Sequence, residues 1–152
     1  MTKTGSPFTK KKALTIVFAV AAIILAAILL RYFFADSDKA DLSTLDGREA
    51  FLNELGWEID RESEEFRTVI VPEQLEGIML QYNKMQQAQG YDLSLHLGER
   101  CQQYTYKLLN YAETDCAVLV TLYIQDGELV AGDIHTSAAN GFMHGLKKNP
   151  AK

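Results

Sequence analysis

Residues 13–30 form a run of 18 without a charged side chain, bounded by Lys10, Lys11 and Lys12 before it and Arg31 after it. At about 1.5 Å rise per residue, a helix of that length reaches about 27 Å, close to the hydrocarbon thickness of a bilayer. Eleven of its positions are Leu, Ile, Val or Phe, and at roughly −0.3 to −0.6 kcal/mol each they favour insertion by about −3 to −7 kcal/mol. A helix apolar around its whole circumference does not match the one-sided stripe of a soluble surface helix. A secretory signal has a shorter apolar stretch, about 7 to 15 residues, followed by a small-x-small cleavage site. The candidate site here, Phe33-Phe34-Ala35, begins with a bulky aromatic, and no Cys follows that would receive a lipid. The reading is therefore a single-span anchor over residues 13–34, with Arg31 snorkelling to headgroups and Tyr32, Phe33 and Phe34 forming an aromatic belt. The lysine cluster keeps residues 1–12 in the cytoplasm by the positive-inside rule, which places the rest of the chain on the outer side.

Charge divides at the same place. The first 35 residues carry five cations and no acid, whereas the remainder carries 10 Lys and Arg against 20 Asp and Glu, net −10. Such a domain repels nucleic acid and anionic headgroups, and no basic patch offsets this. About 118 residues follow the anchor, enough for one core and no more.

Residues 35–42 read as a short polar linker. Ser43 or Thr44 suits a helix cap ahead of Arg48, Phe51, Leu52 and Leu55 at helical spacing, with Gly56 placed for the left-handed position that ends a helix. Trp57 and Ile59 predict a short strand, Glu62 to Glu65 an acidic turn, and residues 66–71 a second strand. Pro72 fits the first position of a helix of about 17 residues carrying Leu75, Ile78, Met79, Tyr82 and Met85, stopped by Gly90. Residues 101–111 alternate strongly, residues 116–125 form the antiparallel partner, and Asp126-Gly127 is a two-residue hairpin leading into a strand over residues 129–135. The predicted fold is α+β: a transmembrane helix, then a domain over residues 43–146 with a mainly antiparallel sheet of about five strands and two helices packed on one face, then a tail over residues 147–152. Asn83 and Asn110 are expected to satisfy buried backbone groups.

Two Cys on the outer side invite a disulfide. A hairpin about residues 112–115 sets Cys116 opposite residue 110, leaving Cys101 about nine residues and roughly 30 Å away, so no bridge is expected. Asp133 and His135 share one strand face, with His144 nine residues beyond. Their types suit metal binding, but no fixed-spacing ligand pair accompanies them, so neither a metal site nor a cofactor is expected. Ser137 lacks a G-x-S-x-G elbow, and no nucleotide-binding loop is present. Six tyrosines, at 82, 91, 104, 106, 111 and 123, fall in the outer domain, and a buried ring with a wet hydroxyl suits recognition.

FLNELGWEID, VPEQLEGIMLQYNKMQQAQGYDL, RCQQYTYKLLNY and AGDIHTSAANGFMHGL, in that order, resemble the family called domain of unknown function 4830, found in membrane-anchored proteins of Gram-positive, clostridia-like bacteria. The resemblance spans about residues 48–146 and implies no catalytic residues. The expectation is a single-pass cell-membrane protein whose extracytoplasmic domain binds a protein or cell-envelope component, not nucleic acid, through Tyr82, Tyr104, Tyr106, Asp133, His135, Phe142 and His144. The rival is an envelope hydrolase using Asp133, His135 and His144. A reporter joined after Lys152 is expected to be active only outside the cytoplasm; activity confined to the inside overturns this topology.

Overall fold

The computed structural model describes Val17 and residues 20–26, 40–112, 116–138 and 141–147. Two units divide the chain, Met1–Lys39 and Ala40–Lys152. In the first, Val17 and residues 20–26 are helical and their side chains exposed. Among the described residues no helix is long and apolar enough to cross a membrane, and the remainder of the apolar run and of the anchor lies outside them.

In the second unit, local chemistry sets the helix ends. Helix α1 (Leu45–Glu54) starts where the Thr44 hydroxyl accepts the Gly47 N–H at 3.0 Å. It ends at Gly56, φ 83°, where Gly56 N–H donates to the Asn53 carbonyl and Trp57 N–H to that of Leu52, both at 2.9 Å. Helix α2 (Gly77–Gln89) closes the same way at Gly90, φ 96°, with Tyr91 N–H donating to the Gln86 carbonyl at 3.0 Å. It has 13 residues and begins five positions after Pro72. Pro72 is not its first residue because Val71 still bonds like a strand, donating to the Glu99 carbonyl and accepting from Gly98 N–H. Residues 72–76 then carry the chain away from the sheet edge.

Five antiparallel strands follow in the order β1-β2-β3-β4-β5: β1 (Ile59–Ile70), β2 (Arg100–Leu108), β3 (Val118–Gln125), β4 (Glu128–Thr136) and β5 (Met143–His144). The short strand, acidic turn and second strand expected over residues 57–71 are one strand, β1, with an irregularity. Ile59 pairs with Leu108 and Asp60 with Lys107, but Glu65 pairs with Thr105, so residues 61–64 bulge out of register. The two-residue strand β5 was not expected. The hairpin at Asp126 (φ 51°) and Gly127 (φ 81°) has the backbone that a two-residue turn requires.

Register decides the faces. Tyr104 pairs with Leu122 and Tyr106 with Val120, while Thr105 pairs with Thr121. The first set forms one core with Leu52 of α1, Trp57, Ile59, Ile134 and Leu146. The second face carries Cys101, Tyr123 and Ala131 beneath Met79 and Tyr82 of α2. The helices therefore cover opposite faces, not one. The physical reason is that α1 already seals the Tyr104 face, and the apolar side chains on the reverse need their own cover. Leu42 is 5% exposed and its N–H donates to the Gly127 carbonyl, so the packed domain begins before residue 43, inside the segment read as linker. Cys101 is buried at one end of the β2–β3 hairpin and Cys116 is exposed beyond the other, and no disulfide joins them. Asn83 accepts the Leu93 N–H at 2.7 Å, a buried backbone group as expected, whereas Asn110 accepts from Glu58 N–H and donates to the Gly56 carbonyl, both exposed.

Arg48 ties α1 to the sheet. It is 3% exposed, stacks 3.6 Å over the Tyr104 ring, and donates to the Tyr106 hydroxyl, to the Leu42 and Ser43 carbonyls and to Glu64 of the bulge. Tyr106 also donates to Glu64. Burial works against the Glu64 carboxylate, yet the Tyr106 and Arg48 donors together hold its pKa below the ordinary value. Removing one partner of a buried pair strands the other, so Arg48→Ala is expected to cost about 3–5 kcal/mol. The double replacement R48M/E64L is expected to recover most of this, both read from urea midpoints.

Candidate functional site

Strand alternation brings the site together. Asp133 pairs with Thr121 and His135 with Leu119, so both side chains stand on the α2 face, two residues apart. Asp133 is 2% exposed. One of its oxygens, Oδ1, lies 2.8 Å from Nδ1 of His135, and the other accepts the Tyr82 hydroxyl at 2.7 Å. Tyr82 reaches it from the middle of α2, its ring edge-on to Tyr123 with centroids 6.2 Å apart.

The amides of α2 fix that helix against the sheet. β5 pairs with β4 only at Ile134 and His135, which leaves the β4 backbone at Gly132 to be matched by side chains. Gln86 accepts the Gly132 N–H at 3.0 Å, and Gln89 donates to the Gly132 carbonyl at 3.0 Å while accepting the Leu146 N–H. These three bonds continue the sheet's ladder with glutamine side chains.

Between α2 and the sheet lies a cavity of about 500 Å³. Its walls are largely apolar, including Val71, Met79, Leu93 and Tyr123; Gln103, Thr121, Asp133 and His135 supply the polar surface, and Ile78 and Met143 are 86% and 53% exposed. Thr121 and Thr105 hydroxyls share a hydrogen bond at 3.0 Å.

Electrostatics restrict what this site can do. The hydrogen bond to Asp133 raises the His135 pKa above its ordinary 6.5, partial burial opposes that, and the carboxylate's charge adds to it. Burial, with the nearby Asp133 charge, pushes the Tyr82 hydroxyl far up and the Tyr123 hydroxyl to about 12, so both stay protonated. Burial also raises the Cys101 thiol, which keeps it out of its nucleophilic thiolate form. With Thr121 bonded to Thr105, the cavity presents an imidazole with an oriented Nδ1 proton and no poised nucleophile. Among the described residues, no group of three His, Cys, Asp or Glu side chains is placed to hold a metal ion.

Of the residues singled out in the sequence, the structure joins Tyr82, Asp133 and His135. Tyr104 and Tyr106 lie on the other face, 8% and 0% exposed beneath α1. Phe142 and His144 belong to a third group: Tyr111 stacks on Trp57, Phe142 and His144, and its hydroxyl meets His144 Nε2 at 2.8 Å. Because His144 pairs with Ile134, it sits on the face opposite Asp133 and His135, and the three do not converge as the hydrolase reading needs. A broader depression of about 810 Å³ beside Trp57, Tyr111 and His144 has its amides, Gln89 and Asn110, engaged in backbone bonds. Sequence reasoning missed Met79, Gln103, Thr121 and Met143 as cavity residues. The parity of β2 and β3 holds the signal for Gln103 and Thr121, since both share it with Cys101 and Tyr123.

Comparison with protein-family models, curated proteins and solved structures finds no match, and the functional reading rests on geometry.

A protonated His135 pairs with Asp133 only in the folded chain. Its stabilisation is therefore complete below the ordinary histidine pKa of 6.5 and fades as pH rises through the higher folded value. The stability gap between the parent chain and Asp133→Asn, taken from urea midpoints, is expected to be wider at pH 5.5 than at pH 9. A gap that ignores pH contradicts the pairing.

Proposed function

We propose that this chain is a binding module held at a cell membrane by residues 13–34, with its α+β domain outside the cytoplasm. The ligand is an apolar group taken into the cavity beneath α2. The observation that carries this reading is the cavity itself, apolar on most of its wall, with Tyr82, Asp133 and His135 forming a hydrogen-bonded cluster and Gln103 and Thr121 the remaining polar surface. That is the composition of a site that binds by burial and orients by a few hydrogen bonds. The protonated thiol and the bonded threonine hydroxyl favour binding over nucleophilic chemistry. The uncharged run over residues 13–30 supports the membrane setting, and the net charge of the outer part disfavours nucleic acid as partner.

Met79 and Met143 line the cavity while Met85 does not, which provides two reporters and an internal control. With methyl-labelled methionine, 3-phenylpropan-1-ol is expected to shift the Met79 and Met143 signals and to leave Met85 in place. Gln103→Trp fills the space from the sheet side at a position exposed enough to accept a larger ring, and it is expected to abolish the shifts while the urea midpoint stays within about 1 kcal/mol of the parent. Equal shifts in both proteins would place binding elsewhere.

A further inference from the structure

The polar pole of the cavity is a donor, and this selects the ligand's head group. Each Asp133 oxygen already accepts a donor, one from His135 and one from Tyr82, and the residue is only 2% exposed, so little of the carboxylate is open to an incoming cation. His135 uses Nδ1 on Asp133, and its Nε2 has no hydrogen-bond partner among the described residues; the side chain is 25% exposed and lines the cavity. When the ring takes its second proton, that proton is carried by Nε2. The pole then offers one N–H backed by positive charge.

The surrounding groups do not reverse this polarity. Tyr82 on α2, Tyr123 on β3 and Cys101 on β2 are kept neutral by burial. On the same face, Glu65 and Arg67 of β1 lie 3.7 Å apart and offset one another, and Lys107 of β2 stands opposite Asp60 of β1, so these four formal charges sum to zero. Met143 of β5, paired with His135, adds no charge.

We infer that the cavity selects small apolar molecules that end in a carboxylate, with the head group on His135 Nε2 and the apolar body along the walls formed by Met79, Leu93 and Tyr123. This rests on the binding reading above. It goes further by excluding amines and by demanding an anion over an equally bulky neutral molecule.

Three probes of one shape separate the two claims: 3-phenylpropanoate, 3-phenylpropan-1-ol and 3-phenylpropylamine, titrated into the full chain in lipid nanodiscs and followed at the Met79 and Met143 methyls, with Met85 as the control for shifts unrelated to the cavity and the free probe measured after the nanodiscs are removed by ultrafiltration. At pH 6 the carboxylate is expected to bind at least tenfold more tightly than the alcohol, with the amine weakest. The preference is expected to weaken as pH rises and the imidazole gives up its second proton. His135→Gln is expected to remove the carboxylate's advantage over the alcohol at pH 6, read as the ratio of the two affinities, and the pH series on the parent chain gives the same answer should that variant fail to fold. Equal affinity for carboxylate and alcohol at pH 6 overturns the head-group inference and leaves the binding reading standing. Tightest binding by the amine also overturns it, and silence from all three probes overturns both.

Discussion

A buried guanidinium organises the domain. Arg48 joins three pieces of chain that are distant in sequence: the start of α1, the middle of β2 through Tyr104 and Tyr106, and the bulge of β1 through Glu64. Burying that charge is costly unless its donors are matched, and here the ring stack, two backbone carbonyls, a hydroxyl and a carboxylate match them. The bulge is a consequence. Residues 61–64 leave the ladder so that Glu64 can meet Arg48, while Arg61 turns outward to Asp46 and Glu49 of α1. Exposed pairs like these last two contribute little, whereas the buried set fixes where α1 lies.

With one face sealed in this way, the other face is available to α2, and the contrast between the two contacts explains where a cavity can exist. The α1 side is filled by large side chains such as Leu52, Trp57 and Tyr106. The α2 side has fewer: the helix is held at its C-terminal half by Gln86 and Gln89 on Gly132, and nearer its start by Tyr82 on Asp133. Gly132 permits this closeness on one side and the packing of Leu146 on the other, because a Cβ there would come within 2.6 Å of the Leu146 side chain. The space left under Met79 and Leu93 is the candidate site.

Much of this was legible in the sequence because it depends on neighbours along the chain. Thr44, Gly56, Gly90 and the Asp126-Gly127 turn act within a few residues, and each does what its chemistry predicts. Hairpin register follows from turn length, which is why the separation of Cys101 from Cys116 and the shared face of Asp133 and His135 could be read in advance. What was not legible depends on partners far away. The bulge needs Arg48; the late start of α2 needs the Val71 and Glu99 pairing; β5 is two residues long and carries no alternation. The tyrosines show the limit most plainly. Tyr82 and Tyr104 look alike in sequence, yet strand parity buries one under α1, and α2 brings the other to the cavity pole.

A helix on each side clothes the middle of the sheet. That cover thins out at the edge strand β1, where Phe66, its ring 5.1 Å from that of Tyr104, and Ile70 are 55% and 61% exposed, so the margin of the sheet keeps apolar surface in water.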